Sequence, residues 1–160
     1  MTDEVGLYSP RLDVAVGPFA TQEIHGHAYD ELNRTHAGLL ECFFQAHSEN
    51  IRSLGLSEND IPLELALQKN WNARCWLAIE IENRVSHKHL MGGAINAAAL
   101  GRIGLAVAWN DENLNKFVRM RGYLRFLTCV GKNSFDSSNL FILSATQLEE
   151  AICNYIADDV

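Results

Sequence analysis

Trp76-Leu77-Ala78-Ile79-Glu80-Ile81-Glu82 is the stretch on which the fold turns. Side chains two apart on a strand point to the same face, so Leu77, Ile79 and Ile81 are expected in a core and Glu80 and Glu82 side by side. Adjacent carboxylates repel each other. The repulsion is relieved by a basic partner, by a shared proton or by a bound cation. Arg74 and Arg84 are the basic partners nearest in sequence, and an ion pair with them is the purely structural reading.

Downstream, Ser86 is a suitable N-cap for a helix over residues 87–100. Its Met91-Gly92-Gly93-Ala94 and Ala97-Ala98-Ala99 give a small-residue surface suited to close packing, and Gly101 stops it. Residues 103–109, Ile-Gly-Leu-Ala-Val-Ala-Trp, form a continuous apolar run, the pattern of a strand covered on both faces. Strand, helix and buried strand make a βαβ unit. Asn110 or Asp111 then caps a helix running to about Val130, with Phe117, Met120, Leu124 and Leu127 as its apolar stripe. A strand at 139–144 and a helix at 145–157 complete the chain, with Leu148, Ile152 and Ile156 expected inward.

Upstream, residues 62–68 alternate Leu63, Leu65 and Leu67 with Glu64, Ala66 and Gln68, which predicts a strand. The polar turn at 69–72 would join it to the Glu80 strand as a hairpin. Residues 28–55 carry apolar residues at helical spacing, giving one long or two shorter helices. Residues 1–21 contain Gly6, Pro10, Gly17 and Pro18 and read as an irregular arm with one short strand at 12–16. Without a repeat or linker, the economical organisation is one α/β domain over 1–160 with a central mixed sheet flanked by helices.

Bulk properties narrow the function. A hydrophobic fraction of 48% and a charged fraction of 21% are those of an ordinary globular chain. No apolar run is long enough to span a bilayer and no secretory pattern opens the sequence, so a cytoplasmic location without membrane contact is expected. A net charge of −7 argues against broad phosphate binding but leaves room for a local basic patch. Cys42, Cys75, Cys129 and Cys153 form no Cys-x-x-Cys pair and are expected to be reduced, buried packing residues. His25-x-His27 and His87-x-His89 lack the further ligands of a zinc site, and Gly92-Gly93 lacks the surroundings of a phosphate loop.

The order helix, strand hairpin ending in Glu80-x-Glu82, helix, buried strand, helix resembles the core of the PD-(D/E)XK nuclease-like superfamily, over roughly residues 28–130. The resemblance implies a restriction-endonuclease-like core and metal-assisted hydrolysis of DNA phosphodiester bonds. On it, Glu80 matches the metal-binding acid, and Glu82 falls where the family usually carries Lys, a departure known among restriction endonucleases. Lys88 would supply the missing cation from the next helix. The acid of the preceding strand is matched by Glu64, with Asp60 as runner-up, and a helical carboxylate by Glu41. Glu64, Glu80 and Glu82 would hold Mg²⁺ or Mn²⁺, Glu80, Glu82 and Lys88 would carry the chemistry, and Arg119, Arg121 and Arg125 would contact DNA. The alternative is a non-catalytic protein of the same fold that binds a partner or forms a homodimer.

Overall fold

A computed structural model describes residues 11–20, 23–56, 61–83, 87–132 and 135–158. The elements run β1 (Val14–Val16), α1 (Gly26–Thr35), α2 (Ala37–Ser53), α3 (Leu63–Ala66), β2 (Cys75–Glu82), α4 (His87–Leu100), β3 (Gly101–Ala108), α5 (Asp111–Cys129), β4 (Leu140–Ser144) and α6 (Ala145–Asp158). The four strands form one mixed sheet in the order β1-β2-β3-β4. β1 is antiparallel to β2, with Val14 opposite Ile79, whereas β2, β3 and β4 are mutually parallel, with Leu77 opposite Ile103 and Ala106 opposite Ile142.

Helices cover both faces of this sheet. On one face Leu77, Ile79, Leu105, Val107, Phe141 and Leu143 pack with Tyr29, Leu40, Phe43, Ala66 and Ala151 from α1, α2, α3 and α6. On the other, Ala78, Ala106, Ala108 and Ile142 meet Leu90, Ala94, Ala97, Ala98, Phe117 and Val118 from α4 and α5. All eight residues of β3 are buried, which explains its unbroken apolar sequence. The small residues of α4 let it lie close to the sheet. A Cβ added to Gly104 would stand 2.6 Å from the carbonyl carbon of Ala97, so that position takes no side chain without moving the helix.

Polar side chains complete the backbone bonding where the sheet stops. The Ile142 N–H donates to His47 Nδ1 at 3.0 Å, and Asn50 Nδ2 donates to the Ile142 carbonyl at 2.9 Å, so α2 covers the outer edge of β4. Asn70 and Asn139 both donate to the carbonyls of Ala98 and Gly101, tying down the C-terminal end of α4. Asn110 Oδ1 accepts from the Asn113 N–H at 2.9 Å, the cap expected for α5.

Several expectations are corrected. Residues 62–68 do not form a strand, so the hairpin does not exist. Leu63–Ala66 is a helical turn, with Ala66 buried and Leu63 and Leu67 partly buried at i, i+3 and i+4. Leu, Glu, Ala and Gln are strong helix formers without β-branching, and Pro62 directly precedes the turn. In α6 the inward residues are Leu148, Ala151 and Tyr155, while Ile152 and Ile156 are exposed. Of the cysteines only Cys75 is buried; Cys42, Cys129 and Cys153 are exposed free thiols on outer helix surfaces. Ile81 is exposed too, because β2 outruns its helical cover at that end. No helix among the described residues is long and apolar enough to cross a membrane. Ser86 and Asp60, read as a cap and as a metal acid, lie outside the described residues.

Candidate functional site

The alternation of β2 that buries Leu77 and Ile79 turns Glu80 and Glu82 to the opposite face, under α4. There they line a cleft of about 460 Å³, together with Arg11, Asp13, His89, Gly93 and Asn96. Gly93 makes room for the first carboxylate, since a Cβ at that position would lie 3.4 Å from Glu80 Oε2. The end of β2 is held in place from the residue that follows β3 and from α5. The Glu82 carbonyl accepts from the Trp109 N–H at 3.1 Å and from Asn113 Nδ2 at 3.3 Å.

Asp13 is the acid that sequence reading missed. Because Val14 pairs with Ile79, Asp13 comes beside Glu80, and its Oδ2 accepts from the Ile81 N–H at 2.8 Å. Its carboxylate also acts on Glu80. Two carboxyl groups side by side repel when both are ionised, and a hydrogen bond between them requires a proton on one. Burial, the Asp13 charge and hydrogen bond, and the Glu82 charge together push the Glu80 carboxyl up to about 7. Glu80 Oε1 is fully enclosed and has no hydrogen-bond partner among the described residues. A proton on the pair thus relieves part of the repulsion and leaves one oxygen without a donor.

The remaining predicted residues divide. Glu64 is exposed on α3, whose Ala66 packs into the core on the opposite face of the sheet, so it takes no part in this cleft. Glu41 is exposed on α2. Lys88 lies in the first turn of α4. Arg119 is exposed, Arg125 is half-buried, and Arg121 is 2% exposed with Nε donating to the Leu140 carbonyl at 3.2 Å. Arg121 therefore pins α5 to β4 and is not available to a surface ligand. The spacing of Phe117, Arg121 and Leu124 at i, i+4 and i+7 places it on the buried stripe and was the signal for this. For Asp13, the signal was its position at the foot of the short strand expected at 12–16.

The chain matches no family model, curated protein or solved structure. What the cleft can do rests on its own chemistry. Its donors are carboxylate oxygens with one imidazole nearby, the set that suits Mg²⁺ or Mn²⁺ better than zinc. Among the described residues no group of three or more His, Cys, Asp or Glu side chains is placed to hold a metal ion together. Mg²⁺ does not need one, because it keeps several waters and is held by one or two carboxylates plus substrate phosphate. The enclosed, unpartnered oxygen of Glu80 fits such an ion.

Proposed function

We propose that this cleft is the centre of a metal-dependent hydrolase of DNA phosphodiester bonds, with the carboxylates of Glu80 and Asp13 as the protein ligands of Mg²⁺ or Mn²⁺. The observation that carries the reading is the Glu80 carboxylate, enclosed, lacking a donor at Oε1 and flanked by two further acids in a cleft open to solvent. Such an ion, when bound, lowers the pKa of a coordinated water and offsets charge on phosphate oxygens. Glu82, which lines the cleft at the end of β2, would act as the general base, and Arg11, which also lines it, would offset the phosphate charge, as Lys88 would by the sequence resemblance. Asp13 takes the role that the sequence resemblance gave to Glu64. The kinship to PD-(D/E)XK nucleases belongs to this proposal and is supported by the parallel β2-α4-β3 crossover that follows the acidic strand.

A second reading is favoured by the raised pKa of Glu80, since a proton taken up there eases the repulsion with Asp13 without any ion. On that reading the fold is a non-catalytic binding or dimerisation module. Incubation with supercoiled and single-stranded DNA in Mn²⁺, Mg²⁺ or EDTA separates the two. The hydrolase reading expects cleavage that requires metal and disappears in Glu80→Ala and Asp13→Asn. Intact substrates throughout, with properly folded protein, leave the non-catalytic reading.

A further inference from the structure

The two carboxylates assigned to the ion come from pieces of chain that are held very differently. Glu80 is fixed in β2, whose residues from Cys75 to Ile79 are all buried. Asp13 and Arg11 ride on the segment that leads into β1. That segment is attached thinly. β1 meets β2 through three residue pairs, Val14 with Ile79, Ala15 with Ala78 and Val16 with Leu77, and all three of its residues are exposed. Of residues 11–16, Leu12 packs, partly buried, against the core under α4 and α5. Behind the segment the chain is firm. Ala20 is buried and its N–H donates to the Arg74 carbonyl at 2.9 Å, while the Pro18 carbonyl accepts from the Tyr29 hydroxyl at 3.0 Å. Gly17 joins the firm part to the thin one.

Docking of residues 11–16 is a balance of opposing terms. Three residue pairs, the contact of Leu12 and the 2.8 Å bond from the Ile81 N–H to Asp13 Oδ2 favour it. The same docking lays the Asp13 carboxylate beside Glu80, with Glu82 two residues further along the strand. Like charges side by side across a strand pair are destabilising. A short ladder at a sheet edge with few buried contacts opens locally at little free-energy cost, so this repulsion is large enough to shift the balance. A divalent cation held between the two acids turns the repulsion into attraction. Because such an ion is gripped by both only when the segment is docked, ion uptake and docking are linked, and each favours the other.

We propose that residues 11–16 form a strap that a divalent cation closes, the ion drawing Asp13 onto Glu80, seating β1 on β2 and bringing Arg11 to the cleft. This regulation rests on the metal-site reading of the cleft. The docked arrangement described above is the closed form. With the strap away, Glu80 and Glu82 stand at an open strand end without Asp13 or Arg11, so the ion assembles the site that it occupies.

The test is hydrogen–deuterium exchange read by mass spectrometry at pH 8, in EDTA and in saturating Mg²⁺, with ion uptake measured by calorimetry in the same buffer. Labelling times are kept short enough that β3 and β4 stay unlabelled. Mg²⁺ is expected to slow exchange at residues 13–16 and 80–82 about tenfold. Asp13→Asn removes the like charge and keeps an oxygen for the Ile81 N–H, so in EDTA these residues should already exchange slowly and gain little from the ion. Asp13→Ala loses the bond as well and should leave them labile in both buffers. Asp13 is a surface position, and circular dichroism melts verify that the variants fold. Uptake of Mg²⁺ without slower exchange at residues 13–16, full protection of those residues in EDTA, or an Asp13→Asn strap as labile in EDTA as that of wild type would overturn the strap and leave the metal site standing. No uptake of Mg²⁺ by wild type would remove the metal site and the strap with it.

Discussion

Glu80→Gln should make the protein more stable at pH 8 and leave it nearly unchanged at pH 5. Glu80 titrates near 7 in the folded chain because of burial first, then Asp13 and Glu82, whereas in the unfolded chain it regains the ordinary value near 4.5. An acid whose folded pKa is raised contributes stability that is fully present below about 4.5 and is lost as pH rises through about 7. At ~1.36 kcal/mol per pH unit, that gap sets a ceiling of ~3.4 kcal/mol. The cleft is open to solvent, and screening reduces the figure to roughly 1–2 kcal/mol. Glutamine keeps the shape and the donor toward Asp13 but cannot ionise. Urea denaturation of both proteins at pH 5, 6.5 and 8 in EDTA reads the effect directly. The difference between variant and wild type should grow by roughly 1–2 kcal/mol across this range. A difference independent of pH, or a variant less stable than wild type at pH 8, would refute the coupling of Glu80 to Asp13.

Three further outcomes are expected. Gly104→Ala forces a methyl group against the Ala97 backbone and should cost about 1–3 kcal/mol, measured by denaturant titration. Asn110→Ala removes the acceptor of the Asn113 N–H and should lower stability by about 1 kcal/mol, seen as a lower Tm. With a thiol-specific chromogenic reagent at neutral pH, Cys42, Cys129 and Cys153 should react quickly, whereas Cys75, whose thiol burial pushes up to about 11, should react only after unfolding.

Local patterns carried much of the fold. The strand at Cys75–Glu82, the helix at His87–Leu100, the buried strand after it and the capped helix from Asp111 each announce themselves within their own residues, by period, cap or unbroken apolar run. Patterns compatible with two periods did not decide themselves. Leu63, Leu65 and Leu67 alternate as a strand would, yet Leu63, Ala66 and Leu67 also satisfy helical spacing, and the second arrangement buries Ala66. In α6 the row Leu148, Ile152, Ile156 advances four residues at a time and drifts about 40° per step around a helix of 3.6 residues per turn. The chain follows Leu148, Ala151 and Tyr155 into the core instead, leaving both isoleucines outside.

The candidate site was legible for Glu80 and Glu82, because a strand period places them without knowledge of any other element. Asp13 depended on which strand pairs with β2. The bond from Ile81 to Asp13 spans 68 residues of sequence, and no local pattern within either segment specifies that partner. Glu64 took its place in the sequence reading because a hairpin is the simplest way to bring a second acid alongside, and the helical turn at Leu63–Ala66 removes that route.

Isothermal titration of Mn²⁺ and Mg²⁺ into wild type and Glu80→Ala, at pH 8 where Glu80 is ionised, tests the central claim most directly. The account predicts saturable uptake at a single site by wild type and its loss in the variant. Absence of binding by folded wild type, even with DNA present, or undiminished binding by Glu80→Ala, would contradict a metal centre built on Glu80 and Asp13.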